Sequence, residues 1–138
     1  LIRNAKLVIV GNDYLKNYAF KCNAKRIKVI PTSIDLNKYV DTSHYERNDI
    51  FTIGWIGSPS TQKYLAIIHD ALKDVSRTYK VKLTLIGISG YAIDGVDVEC
   101  KKWSEENEAK LLNKIDLGIM PIPNLPFERG KCGYKRIQ

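Results

Sequence analysis

The sequence predicts an α/β fold, a parallel sheet with helices on both faces. Two observations carry this. Short apolar runs that end at glycine or proline alternate with stretches of helical periodicity from one end of the chain to the other. One run, Phe51–Ile56 (FTIGWI), is apolar almost without interruption, as a strand covered on both faces requires. Crossovers between parallel strands are right-handed, which limits how such a chain winds.

The elements follow in order. Lys6–Val10 is a short apolar run closed by Gly11, hence a strand. Asn12 or Asp13 is placed to cap the next helix, whose apolar face is Leu15, Tyr18, Ala19 and Cys22 at i, i+3, i+4 and i+7. Ile27–Ile30 is a second short strand, closed by Pro31. This strand–helix–strand unit is too small to bury itself and is expected to finish a larger sheet. Pro31–Tyr39 reads as a linker, and Asp41–Asn48, polar and charged, as a loop. After Phe51–Ile56, Gly57-Ser58-Pro59-Ser60-Thr61 turns the chain. Ser60 or Thr61 is expected to cap a helix of about five turns, lined by Leu65, Ile68, Leu72, Val75 and Tyr79.

Val81–Ile86 is the next strand, ended by Gly87. Ile88–Gly95 is a glycine-containing loop, and Val96–Cys100 a short alternating strand. Ser104 caps a helix that starts with Glu105, Glu106 and Glu108 and carries Lys110 and Lys114 toward its end, charges that match the helix dipole. Leu111, Leu112 and Ile115 are its apolar face. Asp116–Ile122 reads as a further buried strand, ended by Pro121, Pro123 and Pro126, since proline donates nothing to a ladder. Beyond it Glu128, Gly130, Lys131, Gly133 and Lys135 fall on a loop that leads into a helix. The chain opens without Met and stops at Gln138 inside that helix, so it is expected to be a piece of a longer protein. The domain division expected is 1–31 as the end of one domain, 32–49 as linker and 50–138 as a second.

A chain of 138 residues, 44% apolar, is enough for one core. No apolar run approaches the roughly 18–20 residues that span a bilayer. Cys22, Cys100 and Cys132 are widely spaced and odd in number, which suits a reduced, cytoplasmic setting. The net charge of +7 is unevenly spread. Residues 1–30 hold seven basic side chains against one acidic, and residues 126–138 hold four against one. Such ends suit phosphates, an anionic membrane surface or nucleic acid, or are simply solvated. His44 and His69 have no metal-like spacing.

Open parallel sheets bind ligands beyond the C-terminal ends of their strands. Four loops fall there: Gly57–Lys63, Gly87–Gly90, Cys100–Ser104 and Pro123–Lys135. Lys63 opens its helix, where a cation opposes the dipole, so it is either an ordinary surface lysine or the partner of an anion. Trp103 either fills the core beside the acidic helix, the favoured reading, or stacks on a nucleobase. The glycines and lysines after Pro126 are either a solvated basic loop or an anion cradle.

PFERGKCGYK, lying after the strand DLGIMPIP, resembles the donor-binding loop of group 1 glycosyltransferases, the glycogen-synthase-like retaining enzymes of the GT-B fold. GWIGSPSTQKYL (Gly54–Leu65) is similar to the first strand and phosphate loop of that family's donor domain. VIVGN (Val8–Asn12), followed by VIPTSIDLNKY (Val29–Tyr39), is similar to the end of its acceptor domain and the linker. The resemblance covers nearly the whole chain. It implies a truncated GT-B C-terminal domain, a Rossmann-like parallel sheet with helices on both faces. It also implies transfer of a sugar from a nucleotide-diphosphate sugar to a glycan or lipid-linked acceptor, as in bacterial surface polysaccharide synthesis.

The resemblance further implies roles residue by residue. Lys63 matches the family's diphosphate-holding lysine, beside Gly57. Ser58 stands where the family has an arginine, so Lys131 or Lys135 would complete the phosphate clamp. Aligning the loop glycine puts Gly130 and Gln138 at the positions of the family's two glutamates. Glu128, with Gly133 and Gln138, would then meet the sugar and ribose, and Gly87 and Trp103 the base. No metal and no cofactor is expected, since lysines and a helix N-terminus stabilise a departing diphosphate. No catalytic residue is identified. Expected partners are the nucleotide-sugar donor, the acceptor and the surface of an anionic membrane, but not nucleic acid. The alternative is a non-catalytic nucleotide-binding α/β module.

Overall fold

Successive residues of a strand face opposite sides of its sheet, and that rule decides what each element here buries. The computed structural model describes residues 1–35, 37, 39 and 50–134. They form two compact units. One is Leu1–Ile34 together with the segment that starts at Pro123; the other runs from Asp35 to Ile122. The expected division had residues 50–138 together, whereas here the segment from Pro123 groups with the N-terminal residues. The expected loop Asp41–Asn48 lies outside the described residues.

The larger unit holds a four-stranded sheet, with β3 (Phe51–Ile56), β4 (Val81–Ile86), β5 (Asp97–Lys101) and β6 (Leu117–Gly118) in the order β5-β4-β3-β6. All its pairings are parallel. The register aligns Ile53 with Leu83 and Leu117, and Gly54 with Thr84 and Gly118. One face therefore presents Ile53, Trp55, Leu83 and Leu85. These pack with Leu65, Leu72, Ile88 and Ile93 into the apolar core. Leu65 and Leu85 are fully buried, each contributing about 1.5–3 kcal/mol of transfer free energy. The other face presents Thr52, Gly54, Lys82, Thr84, Glu99 and Lys101. Gly54 lets Ile115 lie flat on it: a Cβ there would stand 2.1 Å from Ile115 Cδ1.

Between β3 and β4 the expected long helix is split into a 3-10 helix, Gln62–Ile68, and α2 (His69–Thr78). The hydroxyls meant to cap it are otherwise engaged. Thr61 Oγ1 donates to the Ser58 carbonyl (3.0 Å) and accepts from the Ser58 N–H (3.2 Å), closing a turn. Tyr79 lies outside α2 in extended conformation and, with Val75, is exposed, so the predicted apolar stripe ends at Leu72. Helix α3 (Glu105–Leu112) starts as predicted, with the Ser104 side chain accepting from Asn107 N–H at 3.3 Å. The strand expected over Asp116–Ile122 shrinks to Leu117–Gly118. Asp116 closes around Thr52 from both sides: its N–H donates to the Thr52 carbonyl (2.9 Å), and its carboxylate accepts the Thr52 N–H (2.7 Å). Past Gly118 only Ile119 N–H still reaches β3, at the Gly54 carbonyl, before Pro121 ends pairing.

The smaller unit holds β1 (Val8–Val10), α1 (Asp13–Lys21), β2 (Ile27–Val29) and α4 (Pro126–Arg129). β1 and β2 pair in parallel, Val8 opposite Ile27. Asn12 caps α1, its Oδ1 accepting from Leu15 N–H at 2.9 Å. The helix ends on Asn23 in the left-handed region (φ 58°). Asn23 N–H then bonds the Phe20 carbonyl and Ala24 N–H the Ala19 carbonyl, the pairing that satisfies a helix's last acceptors. Ala19 is the buried residue of the predicted face; Tyr18 is exposed.

Candidate functional site

Two glycines end two neighbouring strands. Gly57 follows β3 and Gly87 follows β4. Gly57 N–H donates to the Ile86 carbonyl (3.0 Å) and Gly87 N–H to the Lys101 carbonyl (2.9 Å), so each strand end is laced to the next. Gly87 has φ 95°, and a Cβ on it would stand 2.2 Å from the Gly57 carbonyl oxygen. No other residue fits there. The same N–H groups, spent on the ladder, do not point at a ligand. The two glycines thus build the site's floor instead of cradling an anion.

Beyond Gly57 the chain exposes hydroxyls. Ser58 Oγ lies 2.9 Å from Ser60 Oγ, and the Ser58 carbonyl accepts from both Thr61 N–H (2.9 Å) and Gln62 N–H (3.2 Å). Lys63 follows in the first turn of the 3-10 helix, exposed, its Nζ 5.3 Å from the Tyr64 ring centroid. Trp103 stands beside Gly87, its Cβ 3.6 Å from where a Gly87 Cβ would be. It does not fill the core: the indole is 46% exposed, because its N–H is drawn outward to donate to Glu108 Oε2. From sequence Glu108 is legible only as a helix-start acid. Glu108 also accepts from Tyr39 OH at 3.1 Å, so one carboxylate holds both the linker tyrosine and the tryptophan. The structure thus brings Gly57, Ser58, Gly87 and Trp103 to one end of the four-stranded sheet, with Lys63 on the turn that follows.

The loop after Pro123 belongs to the smaller unit. Its order differs from expectation, since the helical turn α4 comes before the glycines, with Pro126 opening it and Gly130 closing it. Proline suits a first helical position because its missing N–H would be unpaired there anyway. Glu128, expected to meet a sugar, is only 5% exposed. Gly133 is left-handed (φ 73°). Lys131 Nζ lies 5.5 Å from the Phe127 ring. Lys135 and Gln138 lie outside the described residues.

Asn12 holds this loop, and no local pattern announced it. Its Nδ2 lies 3.4, 3.3 and 3.2 Å from the carbonyl oxygens of Arg129, Gly130 and Lys131. Gly11 makes room for the loop, since a Cβ there would stand 2.1 Å from Cys132 Sγ. The Arg129 guanidinium sits 4.8 Å from the Tyr14 ring centroid, a cation–π contact that adds to the hold. The basic loop is thereby pinned to the turn between β1 and α1.

Among the described residues no group of three or more His, Cys, Asp or Glu could hold a metal ion. His69 is structural: its Nε2 lies 2.8 Å from Tyr91 OH, and burial pushes the Tyr91 phenol up from its usual 10.0. Among the described residues no helix is long and apolar enough to cross a membrane. Comparison of the chain with protein-family models, curated proteins and solved structures found no match.

Proposed function

We propose that this chain is the nucleotide-sugar-binding part of a retaining, group 1-type GT-B glycosyltransferase. The observation that carries the reading is the strand order. β3, β4 and β5 are laid down in one direction, and β6 then pairs on the other side of β3. In open parallel sheets ligands bind where that reversal occurs, beyond the strands' C-terminal ends. The residues leaving β3 at the reversal are Gly57 to Lys63, the stretch similar to the family's phosphate loop. The order also supports a Rossmann-like sheet. So does the placing of Leu72 of α2 against one face and Leu111 of α3 against the other.

In this reading Lys63 and the Ser58 hydroxyl meet the donor's diphosphate. The half-exposed indole of Trp103 offers a stacking face for the base, steadied by Glu108. A fixed ammonium stabilises the charge that develops on a departing diphosphate, so the step needs no metal or cofactor. Lys131 and Lys135 as further phosphate ligands, and Glu128, Gly133 and Gln138 toward the sugar and ribose, rest on the resemblance alone. The acceptor is a glycan or lipid-linked saccharide, and the setting the cytoplasmic side of a membrane. The smaller unit exposes Leu7, Ile9, Tyr18 and Phe20 in a stretch with a surplus of six positive charges, which suits peripheral contact with anionic lipid.

Thermal denaturation with UDP-, GDP- and ADP-sugars, and separately with oligonucleotides, tests the reading. A rise in Tm with one class of nucleotide sugar supports it. Stabilisation by oligonucleotides alone overturns it. Donor binding without transfer to any acceptor by the full-length protein would favour the non-catalytic nucleotide-binding module.

A further inference from the structure

The polar face of the four-stranded sheet carries a cleft of about 360 Å³. Its floor is Thr52 of β3, Thr84 of β4 and Glu99 of β5, all in mid-strand. Lys82, Lys101 and Lys114 bring three ammonium groups to it, against the single carboxylate of Glu99. Lys101 Nζ bonds Glu99 at 2.5 Å, and Lys82 Nζ stands 4.0 Å from it. Lys114 has no ion pair among the described residues. Two positive charges are left over. The Lys101 hydrogen bond, helped by the charges of Lys101, Lys82 and Lys114, holds the Glu99 carboxyl below its usual range, so the carboxylate stays ionised and anchors its lysines.

A second observation is independent of charge. Thr84 is 7% exposed and lines the cleft, yet its hydroxyl has no hydrogen-bond partner among the described residues. That hydroxyl opens to the cleft and is free to bond a group that enters it. The volume falls within the range of small-molecule sites, about 300–1,000 Å³, and exceeds what a bare oxyanion fills. Ile50 and Leu111 supply an apolar wall.

We propose that this cleft binds a small phosphomonoester. Its phosphate is held by Lys82, Lys101 and Lys114 and by the Thr84 hydroxyl, and its organic group lies against Ile50 and Leu111. The site lies on the sheet's polar face, shares only Lys101 with the strand-end loops and does not depend on the glycosyltransferase reading. Calorimetric titration with inorganic phosphate and with phenyl phosphate tests it, on the wild-type chain and on Thr84→Val and Lys114→Ala. Thr84→Val keeps the side chain's shape, and circular dichroism melts check that each variant folds. The expected result is saturable binding, tighter for phenyl phosphate, weakened about tenfold by either substitution and weakened further by salt. Glu99→Gln, which removes the one opposing charge, should not weaken it more than Lys114→Ala does. Absence of saturable binding, or variant affinities equal to wild type, overturns the proposal. Equal affinity for the two anions overturns the assignment to a phosphomonoester.

Discussion

Asn12 caps a helix with one atom and holds a loop with another, and the two jobs can be separated by substitution. Asn12→Ala removes both. Loss of an N-cap costs about 1 kcal/mol. The amide has two protons for the three carbonyls at 3.2–3.4 Å, so at most two bonds form at once, each contributing about 0.5–1.5 kcal/mol. The expected total is about 2–4 kcal/mol. Asn12→Ser keeps the cap and loses the loop bonds, so it should cost about 1–3 kcal/mol. Asn12→Asp keeps the cap and adds a charge that the helix N-terminus favours, but it sets a carboxylate against three carbonyl oxygens. Urea unfolding gives the stabilities, with the slope expected unchanged. Trypsin gives the loop, because Arg129 and Lys131 are themselves cleavage sites. Both the Ser and the Asp variants should be cut there faster than wild type, the Asp variant fastest, while α1 keeps its helicity. If Asn12→Ser is cut at the wild-type rate, the three carbonyl contacts do not hold the loop and the reasoning fails.

Gly87→Ala sets a Cβ against the Gly57 carbonyl at a backbone angle that only glycine adopts freely; a loss of about 2–4 kcal/mol is expected from a thermal melt. Glu99 has a folded-state pKa below its unfolded one, so its ion pairing stabilises the fold above about pH 4.3 and that contribution is lost as pH falls through the folded value. The effect is small because the pair is partly solvated, and a urea series from neutral to acid pH should show it in the wild type and not in Glu99→Gln. Liposomes should sediment the protein when they carry anionic lipid and release it at high salt; binding indifferent to both would remove the membrane contact.

The two central strands are legible to the residue. Phe51–Ile56 is apolar almost throughout, Val81–Ile86 alternates apolar residues with Lys82 and Thr84, and each is bounded by polar residues and glycine. The Ser104 and Asn12 caps are legible because capping is a local bond between neighbours in sequence. What escapes is decided across the chain. Asn12 meets residues 129–131 more than a hundred positions away, and nothing in its neighbourhood signals a second role. Trp103 reads as core from its apolar bulk, but Glu108 gives its N–H a partner at the surface. Thr61 reads as a helix cap, yet its hydroxyl closes the Ser58 turn, and a 3-10 segment results. The β6 strand falls short at its far end, where Ile119 N–H makes the last bond to β3 before Pro121 ends pairing.

The account's central claim is that the loop leaving β3 holds a diphosphate. Calorimetric titration of the wild-type chain, Lys63→Ala and Lys131→Ala with UDP, GDP and ADP, and with the matching nucleosides, tests it most directly. The account predicts saturable binding of at least one diphosphate, weakened by roughly 1–3 kcal/mol in Lys63→Ala as charge-assisted bonds are lost, with nucleoside affinity unchanged. A like loss in Lys131→Ala would bring the second loop into the same site. Equal loss of nucleoside and diphosphate affinity in Lys63→Ala, or no binding of any diphosphate, would contradict it.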